Sequence, residues 1–327
     1  MPLHGPVLVT GASGFLGSQL CRALVGRGQV VRALHRRSSS LHTLEGLTVD
    51  RYVGDILDPS SLTPAVEGAA LVFHAAAQSA YWRRPQDVLS SAVEGTRNVV
   101  RAARQAGVRR LVLTSSVAAL GAPAPGELLT ESHRFSLPPG EFLYGFSKYQ
   151  AEVAAQEEAG GLEIVTVNPS IILGAGDVNR ISGSIILESA RGLAFVYTDG
   201  GANYVHIDDV VAGHLAAAER GRPGERYILG GENLTHRQAL TEVARIVGRR
   251  PPWLPLPDAV IPPLAGLVDT LGRFVATPMN GSQLRMSRYR LWVDSGKAQR
   301  ELSLSAPRPF SLAAQEAYDW YRARGMI

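Results

Sequence analysis

Tyr144 and Lys148 stand four residues apart in the run Tyr144-Gly145-Phe146-Ser147-Lys148. If this run begins a helix, that spacing puts a phenol and an ammonium on one face, a turn apart. The pair is suited to proton transfer. A tyrosine with a pKa of about 10 is a poor acid or base at neutral pH, and a neighbouring cation stabilises its phenolate. The chain has ten tyrosines and only two lysines, Lys148 and Lys297. Chance alone yields about 0.06 such pairs, so the spacing merits a search for the elements that would position it.

A glycine-rich turn comes first. Val7 to Thr10 reads as a short apolar strand, Gly11-Ala12-Ser13-Gly14-Phe15-Leu16-Gly17 follows, and 18–25 has helical spacing. In that order, Gly11 permits the turn, Gly14 lets backbone approach a pyrophosphate, and Gly17 brings helix close to strand. The helix N-terminus then offers its N–H groups to phosphate. A purely structural turn is the alternative. The second strand, 29–34, ends in His35-Arg36-Arg37-Ser38. An NAD-specific site usually places an acid there; arginine suits a 2′-phosphate instead. NADP(H) is therefore favoured, with Arg36 the first contact and Arg37 the second, NAD(H) the alternative, and a solvated basic loop the bland explanation.

The third strand, 48–53, leads into Gly54-Asp55-Ile56. Asp55 is placed either to accept from an adenine amino group or simply to end the strand. The fourth, 71–73, runs into His74-Ala75-Ala76-Ala77, whose small side chains admit a cofactor close to the backbone. His74 reads as packing or a local hydrogen bond. After a long helix over 85–106, the fifth strand, 110–114, delivers Thr114-Ser115-Ser116 to the carboxyl edge, where ligands sit in an open α/β sheet. Ser116 is expected to bridge a substrate oxygen and the Tyr144 hydroxyl, although turn serines commonly bond their own backbone. Gln78, Tyr81, Trp82 and Phe142 are candidates for a mainly apolar substrate pocket, or for core.

The totals limit the alternatives. At 327 residues the chain suits one large domain and a smaller annex. With 45% hydrophobic and 19% charged residues it has the composition of a globular protein. Its net charge of +4 comes without a basic block, so no nucleic-acid partner is expected. One cysteine, Cys21, allows no internal disulfide and fits a cytoplasmic setting. No signal-like N-terminus, spanning apolar run or metal site is read. The stretch 253–275 is broken by prolines and charges and reads as cover over an apolar pocket, with peripheral membrane contact the lesser alternative. The long helices 85–106 and 144–159 offer a homodimer face; a monomer is equally compatible.

Taken together, Thr10 to Gly17, Gly54-Asp55, His74-Ala75-Ala76, Ser115-Ser116, Tyr144 to Lys148 and Asn168-Pro169 resemble the extended short-chain dehydrogenases/reductases, the NAD-dependent epimerase/dehydratase family. Tyr204 to Val210, Gly224 to Thr235 and Asp294 to Leu302 with Ala317 and Trp320 are similar to dihydroflavonol 4-reductase-like proteins and hopanoid-associated sugar epimerases. The resemblance implies a doubly wound parallel α/β sheet of Rossmann type over 1–172, with 205–231 returning to it. It implies a smaller substrate domain from 173–204 and 232–327. It also implies Ser116, Tyr144 and Lys148 as catalytic residues, with Lys148 bonding the nicotinamide ribose and Pro169 helping to seat the nicotinamide.

Two positions depart from the family. Ala92 stands where many members have an asparagine that orders the site or a relay water. Ala202 stands where nucleotide-sugar epimerases often have an arginine for the sugar nucleotide's pyrophosphate. The second departure favours a reductase of a small or hydrophobic carbonyl. A sugar or nucleotide-sugar epimerase retaining its NAD(P), and a non-catalytic NADP-binding sensor or scaffold, are the competing readings.

Overall fold

A computed structural model describes residues 5–77, 85–180, 182–271 and 281–327. The first strands, β1 (Val7–Thr10), β2 (Val31–His35), β3 (Asp50–Val53), β4 (Leu71–His74), β5 (Arg110–Thr114) and β6 (Glu163–Pro169), alternate with helices α1 (Phe15–Gly26), α2 (Pro59–Val66), α3 (Pro85–Gln105) and α4 (Leu143–Glu158). Further on come β7 (Ile171–Leu173), α5 (Ser184–Ala190), β8 (Val196–Tyr197), β9 (Gly201–His206), α6 (Ile207–Arg220), β10 (Arg226–Leu229), β11 (Glu232–Thr235) and α7 (His236–Ile246). The chain closes with β12 (Leu254–Pro255), α8 (Ile261–Leu271), α9 (Gly281–Met286), β13 (Arg290–Leu291), α10 (Gly296–Glu301) and α11 (Phe310–Ala323).

The main sheet has seven strands in the order β10-β6-β5-β4-β1-β2-β3, every pairing parallel. Its inner strands are mainly apolar because helices cover both faces, whereas the edge strand β3 is largely exposed. Residues one apart on a strand therefore enter different cores. Val7, Val9, Val31 and Ala33 pack with Leu20, Cys21 and Leu24 of α1 and with Val210, Val211 and Leu215 of α6. Leu8 and Leu34 face the opposite way, towards Leu62 and Val66 of α2, Val99, Val100 and Ala103 of α3, and Ala155 of α4. Strand order reverses between β1 and β4, which opens a crevice at their carboxyl ends. Cys21 is wholly buried, and burial pushes its thiol up to about 12, as fits a space-filling residue.

A second sheet continues from those carboxyl ends. β7 follows β6 after Ser170, and β11 follows β10 after Gly230-Gly231; β9 lies among β7, β11 and β13. Helices α5, α7 and α11 cover it through Ile186, Leu187, Ala239, Val243, Phe310, Ala314 and Tyr321. Residues 201–206 belong to this sheet, whereas α6 and β10 return to the first. Within 253–275, Leu254 and Pro255 pair with Val196 and Tyr197, and Ile261 and Ala265 are buried with Leu284. Leu267 and Leu271 are exposed. Among the described residues, no helix is long and apolar enough to cross a membrane.

Candidate active site

The carboxyl end of β5 supplies the first reactive group. Ser116 caps a short 3-10 turn, Val117–Leu120, by accepting the Ala118 N–H on Oγ at 3.2 Å. The opening of α4 lies directly against that turn: a Cβ on Gly145 would come within 2.5 Å of the Ala118 carbonyl oxygen. Only the absence of a side chain there lets the two backbones approach. This contact sets Tyr144 beside Ser116, whose hydroxyl favours the phenolate.

Lys148 follows one turn later, 8% exposed, its Nζ donating to the Thr114 carbonyl at 3.1 Å. Burial draws the ammonium down to about 8, and the Glu152 carboxylate opposes that shift. The Tyr144 phenol moves in the opposite sense from the one its spacing suggests. Burial raises it, Ser116 partly offsets that rise, and Lys148 is turned to the β5 carbonyl. In this arrangement Tyr144 keeps its proton at neutral pH, as a donor must.

Two buried histidines brace the strands behind the site. Ala76 N–H donates to Thr10 Oγ1 at 3.2 Å, and Thr10 meets His74 Nδ1 at 2.8 Å. On the other side of the ring, His74 Nε2 meets Thr96 Oγ1 at 3.3 Å, so both ring nitrogens have a hydroxyl partner. Burial first and Lys148 second lower His74 to about 3, so it is a neutral structural residue. Thr114 Oγ1 meets His214 Nε2 at 2.9 Å, while His214 Nδ1 bonds the Val210 carbonyl at 2.8 Å. The Thr114 side chain thus ties β5 to α6, and its carbonyl serves Lys148. Ala92 borders a cavity of about 10 Å³ with His74, Thr96, Thr114 and Lys148. Such a space is about that of one water.

The other predicted positions lie at successive carboxyl ends. After β1, Gly14 N–H bonds Gly11 O at 2.9 Å, and a Cβ on Gly17 would stand 2.2 Å from the same oxygen. Gly14 caps α1 without a side-chain hydrogen bond, so the turn presents backbone N–H groups in a cradle that a side chain would fill. Ser13 gives its carbonyl to Thr43 Oγ1 at 3.0 Å, and Phe15 and Leu16 pack partly against the α1 core.

Arg36 and Arg37 are exposed just beyond β2. After β3, Asp55 Oδ1 accepts the Leu57 N–H at 3.0 Å, and Ile56 packs against Gly95 of α3. Ala75, Ala76 and Ala77 follow β4 and approach Gly11, whose Cβ would lie 2.7 Å from the Ala76 Cα. Pro169 ends β6 opposite Leu229. Phe142 is buried, with its ring 6.4 Å from that of Tyr144 and 6.5 Å from that of Phe135, so it chiefly supports the tyrosine. Gln78, Tyr81 and Trp82 lie outside the described residues. Ala202 is buried on β9, paired with Leu234 and Leu291, and presents only a methyl group.

Sequence reasoning singled out neither Glu152 nor Arg226 nor His214. Glu152 had one available signal, its position four residues beyond Lys148 on the same helix face. Arg226 arrives from a strand 74 residues beyond Glu152, and no local spacing announces the pair.

Comparisons with known proteins agree with this geometry. A family model described as the NAD dependent epimerase/dehydratase family matches residues 7–230. A protein of Synechocystis provisionally named dihydroflavonol 4-reductase is 37% identical, covering 98% of this chain and 95% of its own. Sterol demethylase protein B of Methylococcus capsulatus is 36% identical over 98% of this chain and 99% of its own. The crystal structure of gox2253 superposes with a TM-score of 0.87 at 36% identity, covering 99% of this chain and 100% of that one. By its parallel sheet, its glycine turn and these similarities, the chain belongs to the NAD-dependent epimerase/dehydratase family of extended short-chain dehydrogenases/reductases.

Proposed function

We propose that this protein is an NADP(H)-dependent oxidoreductase interconverting a carbonyl compound and a secondary alcohol, with Tyr144 giving or taking the proton. The observation that supports it best is the gathering of Ser116, Tyr144 and Lys148 at the end of β5, on the same carboxyl edge of the sheet as the glycine turn after β1. A bound nicotinamide would supply or accept the hydride. In the reducing direction, Ser116 holds the substrate oxygen and stabilises its developing negative charge. Tyr144 donates its proton from Oη to that oxygen. Lys148 stabilises the tyrosinate left behind and would hold the nicotinamide ribose.

The backbone of Gly11, Ser13, Gly14, Phe15, Leu16 and Gly17 would carry the pyrophosphate, in keeping with the uncapped start of α1. Arg36 and Arg37 would take the 2′-phosphate, and their exposure leaves them accessible to it. Asp55 and Ile56 would border the adenine; Ala75, Ala76, Ala77, Thr114 and Pro169 would border the nicotinamide side. The second sheet and its helices would cover an apolar substrate. Ala202 supports that choice because it cannot supply a cation to a sugar nucleotide, and the similarity to proteins named for a dihydroflavonol and a sterol points the same way.

The test is incubation of the purified protein with NADPH and a panel of apolar ketones and aldehydes, followed by nicotinamide absorbance. Stoichiometric NADPH oxidation with alcohol formation is expected. Inversion of a sugar carbon with no net change in cofactor would establish the epimerase instead. Cofactor binding without turnover on either panel would leave a sensor.

A further inference from the structure

One turn beyond Lys148, α4 buries a second charge that the proton-transfer step does not use. Glu152 is 6% exposed. Its Oε1 accepts from Asn168 Nδ2 at 2.7 Å, and its Oε2 pairs with Arg226 Nε at 3.2 Å. The same Asn168 Nδ2 donates to the Ser116 carbonyl at 2.9 Å. A single carboxylate thus joins the edge strand β10, the end of β6, the backbone of Ser116 and the helix carrying Tyr144 and Lys148.

Stability alone is a weak reason to bury it. Replacing a buried ion pair with apolar groups of similar volume is often neutral or stabilising. The surroundings of Lys148 suggest another reason. The groups set against the ammonium are Glu152 on α4, the Thr114 carbonyl on β5 and neutral His74 on β4; Tyr144 lies one turn back on α4, and Arg226 on β10 acts on Glu152. Of these, Glu152 is the group whose charge opposes the desolvation of Lys148. Arg226 in turn opposes the tendency of burial to protonate Glu152.

Resting on the catalytic reading above, we propose that Glu152 is a positioning residue of the proton-transfer site: its anionic charge keeps Lys148 an ammonium, and its hold on Asn168 fixes the backbone of Ser116. Asn168 and Arg226 complete the device, one by orientation and the other by keeping the carboxylate ionised.

The two-lysine composition allows a direct test. Lysine labelled with carbon-13 at Cε in the full chain gives two side-chain signals, and Lys297→Arg assigns them. Glu152→Gln keeps an acceptor oxygen for Asn168 and nearly the same shape, while it removes the charge and turns an amide NH2 in place of an acceptor towards Arg226. The Lys148 titration midpoint is expected to fall by about one pH unit, with the alkaline limb of the kcat/KM profile moving the same way. Glu152→Asp, which keeps the anion, is expected to recover at least half of that fall. If Glu152→Gln leaves Arg226 too poorly compensated to fold, Glu152→Gln combined with Arg226→Gln removes both charges and is expected to show the same fall.

An unchanged Lys148 midpoint in a folded variant overturns the proposal; a merely structural carboxylate would lower thermal stability without moving it. Full activity in Tyr144→Phe would defeat the catalytic reading and leave the lysine titration standing, so the two failures are separable.

Discussion

Gly17→Ala isolates the turn on which cofactor binding depends. A Cβ at Gly17 would lie 2.2 Å from Gly11 O, 2.8 Å from Gly11 C and 3.0 Å from Ala12 Cα. All three are backbone atoms of the turn, so no side chain can swing away. Relief requires α1 to back off from β1 by about 1 Å, and overpacking of this kind costs about 1–3 kcal/mol. The same displacement withdraws the N-terminal N–H groups of α1 from the crevice, so an equal loss in NADPH binding corresponds to about 5- to 150-fold in Kd.

The control is on the same helix. At Gly26 a Cβ would meet nothing within 4 Å, and Gly26→Ala should be neutral or stabilising by up to about 1 kcal/mol. Urea unfolding gives the stability difference, and NADPH fluorescence titration gives Kd. Parental stability and NADPH affinity in Gly17→Ala would show that the turn does not confine the backbone as described, and would remove the support it lends to pyrophosphate binding.

Tyr144→Phe should retain NADPH binding and lose turnover by about 10²- to 10⁴-fold, because one proton donor is removed while the ring stays against Phe142; steady-state kinetics on a responsive ketone checks this, and an unchanged kcat contradicts it. Arg36→Glu should move cofactor preference from NADPH towards NADH, read as the ratio of the two kcat/KM values; an unchanged ratio rules out contact with the 2′-phosphate. Acid should destabilise the fold through His74 and His214, both buried and lowered to about 3 and about 4 by burial. The unfolded chain takes up these protons near pH 6.5 and the folded chain does not, so stability present above that value is lost as pH falls towards 4. The two together cost about 4 kcal/mol between pH 7 and pH 5, and the buried carboxyl of Glu152, raised by burial, offsets part of it. Urea midpoints across that range test the sign; constant or rising stability refutes it.

The reactive residues and the glycine turn were legible in the sequence because each is local. Gly11 to Gly17 must follow a strand and open a helix, and Tyr144 and Lys148 share a helix face whatever surrounds them. The strand-and-helix alternation likewise identified five of the seven main-sheet strands, four of them because burial writes a mainly apolar run, and left out β6 and β10. What encloses those residues depended on contacts between distant segments. Arg226 reaches Glu152 because β10 pairs with β6, and the second sheet exists because β7, β11 and β13 gather on β9. The direction of the Tyr144 shift was also decided there: spacing supplied the lysine, but desolvation of the folded site outweighs it and Lys148 turns to Thr114. Periodicity and spacing therefore determined which groups are present and on which elements. Burial and long-range pairing determined their protonation states and partners, because desolvation and Coulomb energies depend on every segment that closes over a site.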